Sequence, residues 1–164
     1  MSDSSAAPVL ATIEPSAARR VLGIVVLFAL GGTLIYLGLA RPPDSLPLQA
    51  FLLALGAAVL ALGNALRQAT ANRLELTHEV LRESTGRVVA RVDRIVAVER
   101  GAFAIKPSNG FLLRLSGPEP DGNRWAPGLW WRLGRRVGVG GITSAGEGKA
   151  VAELLSAMIA ERSA

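Results

Sequence analysis

Cysteine is missing from the sequence, and histidine occurs once, at His78. The first absence excludes a disulfide framework, a thiolate metal site and a cysteine nucleophile. The second excludes the common two- and three-histidine metal sites. Lysine is almost missing too: 16 of the 18 basic residues are arginine. The net charge of +5 does not need nucleic acid as a partner, because basic loops on the cytoplasmic side of a membrane protein account for it. Charge of either sign is absent from two long stretches, residues 21–40 and 46–66. Half of the 164 residues are hydrophobic, and the mean hydropathy is +0.36. That average is too high for an ordinary soluble domain and too low for a chain buried wholly in lipid.

Residues 1–18 are small and polar without a period and read as a disordered tail. Arg19 and Arg20 then abut the first charge-free run, Val21 to Ala40. Its 20 residues span about 30 Å as a helix, the thickness of a bilayer's hydrocarbon. The apolar region of a cleaved signal peptide is shorter, roughly 7–15 residues, so a retained anchor is expected. Pro42 and Pro43 stop this helix, and Asp44 or Ser45 can cap the next. The second run, 46–66, is also long enough to span. The short connection predicts an antiparallel hairpin over residues 19–69. Arg19, Arg20, Arg67 and Arg73 flank its open end, whereas Arg41 at the turn is offset by Asp44. The bias predicts a multi-pass protein of a cell inner membrane with both termini cytoplasmic. Gly23, Gly31 and Gly38 recur near one face of the first helix, and Gly56 and Gly63 on the second. In an antiparallel pair Gly31 is expected level with Gly56 and Gly23 level with Gly63, where small residues let backbones approach. The hairpin reads as an anchor, since neither run holds the ionisable group that marks an ion pathway.

After the hairpin the period becomes strand-like. Residues 73–77, 80–84, 88–92, 94–100, 102–106 and 111–115 read as strands, with turns at Thr85-Gly86 and at the PSNG of 107–110. The glycine-rich stretch after Arg124 is expected to hold one or two more. Ser144 and Glu147 fit a capping box before Val151, Leu154, Leu155, Met158 and Ile159, an amphipathic helix. The fold class expected is a membrane α-helical hairpin plus a small α+β domain over 72–164, with antiparallel sheets closed by a C-terminal helix.

That order, carried by the hairpin, by LELTHEVLRESTGRVVARVDRIVAVERG and by the final helix, resembles the pleckstrin-homology-like (PH-like) fold. More narrowly, it is similar to bacterial membrane proteins that place a two-helix hairpin before such a domain. The resemblance implies a membrane-associated binding or scaffolding role and carries no catalytic residue over.

No catalytic, cofactor-binding or metal-binding residue is expected. GEGK at 146–149 departs from a phosphate-binding loop, which needs glycine where Thr143 stands and Ser or Thr where Ala150 stands. GVGG at 138–141 lacks both the third glycine and the βαβ context of a dinucleotide site. His78 reads as an exposed turn residue. The unusual stretch is Trp125 to Arg136, which holds all three tryptophans and three arginines, Arg132, Arg135 and Arg136. Three readings stand side by side. Trp125, Trp130, Trp131 and the arginines could dock on anionic headgroups. They could form a protein-binding hot spot. Or the tryptophans could fill the domain core. The expected function is a non-enzymatic accessory or scaffold protein that binds a membrane or cytoplasmic protein. The alternative is a module that docks on membrane lipids.

Overall fold

The computed structural model describes residues 8–100 and 107–163. Two helices, α1 (Ala17–Ala40) and α2 (Leu46–Ala69), pack antiparallel as a hairpin. α1 stops before Pro42, as expected of a residue that precedes proline. α2 starts with Pro47 in its first turn, and Ser45 holds the N-cap position without a side-chain cap bond. Both helices are long and apolar enough to cross a membrane, and only 11% of each apolar window is buried. Val21, Leu22, Val25, Leu39 and Phe51 are among the large apolar side chains left exposed. A core helix of a water-soluble domain would bury such a face, so the hairpin points to a membrane.

The two helices approach through glycine. A Cβ on Gly31 would lie 2.7 Å from Leu60 and 3.1 Å from the Gly56 carbonyl oxygen, and one on Gly56 would lie 3.1 Å from the Gly31 carbonyl. A Cβ on Gly23 would meet Leu66, and one on Gly63 would meet Leu27 and Phe28. Large side chains of the facing helix thus fill the notches beside each glycine, while Gly31 and Gly56 meet backbone to backbone. Gln49 Nε2 donates to the Gly38 carbonyl at 2.9 Å and ties the closed end. Gly31→Ile is expected to push the helices about 2 Å apart, read as the distance between spin labels at the exposed Leu22 and Leu62. Gly32→Ile, whose Cβ meets nothing within 4 Å, should leave that distance unchanged.

The rest of the described chain forms two antiparallel sheets and one helix. β1 (Ala11–Ile13), β2 (Leu74–Leu76), β3 (Val80–Glu83) and β4 (Val88–Arg91) form the first sheet in that order. A single 3-10 turn, Val92–Arg94, leads to β5 (Ile95–Glu99). With β6 (Phe111–Leu115), β7 (Arg124–Ala126), β8 (Trp130–Leu133) and β9 (Arg136–Val139) it forms the second sheet, in the order β5-β6-β9-β8-β7. The expected strand at 102–106 lies outside the described residues. Both sheets and α3 (Ala145–Ser163) share one core, which includes Leu76, Leu81, Ile95, Phe111, Leu113, Trp130, Val137 and Leu155. α3 buries Val151, Ala152 and Leu155, while Leu154 stays 39% exposed. The expected stripe thus holds at Val151, Leu155, Met158 and Ile159, with Ala152 in the core where Leu154 was expected.

Residues 1–18 are not a disordered tail throughout. β1 pairs with β2 in the register Ala11↔Leu76, Thr12↔Glu75 and Ile13↔Leu74, and Ile13 is 1% exposed. Residues 17 and 18 already belong to α1, and residues 1–7 lie outside the described part. The hairpin is thus inserted between two neighbouring strands of one sheet. Its connections are residues 14–16 on one side and 70–73 on the other. Both are tied down. Ser144 and Glu147 do not close a capping box on each other; they clasp Glu14, whose N–H donates to Glu147 Oε2 at 2.6 Å and whose carbonyl accepts from the Ser144 N–H at 3.3 Å. Ser16 N–H donates to the Ile142 carbonyl at 2.8 Å. On the other side Thr70, 1% exposed, donates its hydroxyl to the Leu66 carbonyl at 2.6 Å.

Candidate contact surface

The tryptophan–arginine stretch divides by the two-residue period of its strands. On β8, Trp130 and Arg132 point into the core and Trp131 and Leu133 point out, with Trp130 1% exposed, Arg132 2% exposed and Leu133 64% exposed. Trp130 Nε1 donates to Glu83 Oε1 at 2.7 Å. That carboxylate is itself buried, and it also accepts from the Thr85 hydroxyl at 3.1 Å. Arg132 lies 5.8 Å over the Trp130 ring. Its Nε donates to the Gly122 carbonyl at 2.8 Å and its Nη1 to the Val89 carbonyl at 3.1 Å. Burial lowers the pKa of this guanidinium, while Glu119 and Asp121 act against that shift. Trp130 and Arg132 therefore build the core and cannot act as surface contacts.

The other expected contacts are accessible to differing degrees. Arg135 is exposed but donates to the Leu115 and Ser116 carbonyls at 3.2 and 2.5 Å. Trp131 is half-buried, its ring laid over Gly138, which has no side chain to displace it. Trp125 is 64% exposed and sits directly across from Trp131, so the two project from the same face. The adjoining row of that face runs Leu133, Arg136, Arg114. Both arginines are exposed, and Arg114 lies 3.8 Å from Glu99. The outer face of the second sheet thus carries Trp125, Trp131 and Leu133 along one edge with Arg136 and Arg114 behind them. Leu133 and Arg114 were not among the sequence candidates. The alternation W-W-R-L held the signal for Leu133, but an arginine facing inward made the opposite phase look equally good.

The turn from β7 to β8 meets the end of α2. Ala126, Pro127, Gly128 and Leu129 form a turn closed by the Leu129 N–H on the Ala126 carbonyl at 3.1 Å. Pro127 fits its second position, and Gly128, with φ +76°, fits its third. A Cβ on Gly128 would also lie 2.7 Å from Leu66 Cδ1. A hollow beside this turn is lined by Ala65, Gln68, Ala69, Arg87 and Trp125 among others.

His78 is exposed in the turn closed by the Thr77 N–H on the Val80 carbonyl. The GEGK residues form the first turns of α3. Of the GVGG residues, Gly140 and Gly141 pack against the backbone of Gly110 and Gly128. Among the described residues no group of three or more His, Asp or Glu could hold a metal ion. No family model, curated protein or solved structure matches the chain.

Proposed function

We propose that this is an integral protein of a bacterial inner membrane, a non-enzymatic scaffold whose PH-like cytoplasmic domain holds a protein partner. The observation that carries the reading is the pairing of β1 with β2 across the inserted hairpin. A flexible tether would leave the domain free to tumble. Connections of three and four residues, both hydrogen-bonded, instead hold its outer face at a set attitude to the hairpin. Two antiparallel sheets followed by a terminal helix support the PH-like reading. Arg19, Arg20, Arg67 and Arg73 at the domain end support cytoplasmic termini. The exposed Leu133 beside Arg136 and Arg114 favours a partner segment that is apolar and acidic.

A photo-crosslinking residue at Leu133, introduced into the full chain in its native membrane, tests this. One discrete protein adduct is expected, and it should disappear when Arg114→Glu and Arg136→Glu are added. The same probe at Glu161, exposed on α3, should not give it. An adduct common to both positions, or one indifferent to the charge reversal, would overturn the reading.

A further inference from the structure

We propose that the β7–β8 turn sits in the headgroup layer of the bilayer, with Trp125 as an interfacial anchor. The inference rests on the reading that the hairpin crosses a membrane. It adds a lipid contact to a domain otherwise assigned to a protein partner.

Position comes first. Leu66 ends the charge-free run of α2, and Arg67 is the first charge after it. A hydrocarbon core that covers the run must therefore end at this level. Gly128 rests on Leu66 and, by way of the same would-be Cβ, lies 3.4 Å from Thr70. The turn is thus fixed against the last apolar turn of the helix. Trp125 lines the hollow beside Ala65, Gln68 and Ala69, so its ring lies at the helix level where apolar surface gives way to charge.

Chemistry agrees with position. An indole that is 64% exposed is poorly placed in water and well placed at a membrane interface, where the ring is covered and the N–H stays wet. Its neighbours suit anionic headgroups. Arg67 is exposed in the last turn of α2, and Arg87 lines the same hollow. The acid lining that hollow, Glu83, is buried and bonded to Trp130 and Thr85, and Arg87 lies 3.8 Å from it with its side chain still 52% exposed. Leu133 differs. It lies at the other end of β8, about 7 Å along the strand from the level of Trp125, and remains available to a partner while Trp125 is in lipid.

The test uses the full chain in nanodiscs of phosphatidylcholine and phosphatidylglycerol, with lipids brominated at shallow or deep acyl positions as quenchers. The signal of Trp125 is the emission that disappears in Trp125→Phe. It is expected to be quenched about twofold more by shallow than by deep bromines, and aqueous iodide should reach it weakly. A second probe, Leu30→Trp in the Trp125→Phe background, reports on the middle of α1, where Leu30 is 49% exposed. Its added emission should be quenched best by deep bromines. If Leu30→Trp is quenched and Trp125 is reached only by iodide, or by neither quencher, the inference fails and the anchor reading stands. If bromines do not reach Leu30→Trp, the anchor reading itself fails.

Discussion

Ile13→Asp is expected to release the N-terminal strand and to lower the melting temperature of the whole chain. Ile13 is 1% exposed and belongs to the shared core. Its removal forfeits about 2–3 kcal/mol of apolar burial, and a carboxylate in its place has no partner among leucines. β1 is an edge strand, so it can escape by detaching. The amide of Leu10, bonded to the Leu76 carbonyl at 2.8 Å, should then exchange with solvent roughly 100-fold faster or more. Thr12, which points away from Ile13 along the strand and lies across from Glu75, gives the control: the uncharged Thr12→Asn should leave Leu10 protected. Equal exchange in both variants would mean that residues 11–13 do not pair as described. The consequence reaches the hairpin. With β1 detached, Glu14 loses its place against Ser144 and Glu147, and α1 is held to the domain only through α2.

That strand was not legible in the sequence for a physical reason. A strand of three residues within the six between Pro8 and Pro15 is too short to display a period, and the partner strand lies some 60 residues on, beyond the whole hairpin. The apolar runs were legible because chain length and the absence of charge define them without reference to a partner. Strands β2 to β6 and the terminal helix were legible because each carries its own alternation or stripe. The region after Arg124 was harder. Gly128, Gly134 and Gly138 look like interruptions of a strand pattern, yet the fold uses each of them. Gly128 and Gly134 supply positive φ at turns, and Gly138 makes room for the Trp131 ring. Three strands result where one or two were expected. The burial of Arg132 was hidden for another reason. A guanidinium enters a core only where backbone carbonyls receive it, and the carbonyls of Gly122, Val88 and Val89 converge only after the chain has folded.

Trp130→Ala is expected to cost the most of any substitution in the tryptophan–arginine stretch. Truncating a buried tryptophan removes about 3–5 kcal/mol. Glu83, 2% exposed, is deprived at the same time of the donor that meets it at 2.7 Å, a further loss of about 1–3 kcal/mol for a buried acceptor left unmatched. A small domain is stable by only about 5–15 kcal/mol, so much or all of that margin goes. The amides of Leu113 and Val137, paired in the middle of the second sheet, report it as faster hydrogen exchange in the full chain. Trp130→Phe keeps most of the apolar volume and removes the N–H, so its smaller effect isolates the bond to Glu83. Arg132 is coupled to both, because its guanidinium lies over the same ring; the combined effect of Trp130→Ala and Arg132→Met should fall short of the sum of the two. Trp125→Phe should leave those amides unchanged, since Trp125 faces outward. Weaker membrane anchoring in Trp130→Ala would then be a consequence of unfolding, and in Trp125→Phe a property of the surface. If instead Trp130→Ala left the Leu113 and Val137 amides protected, Trp130 could not be the centre of the core.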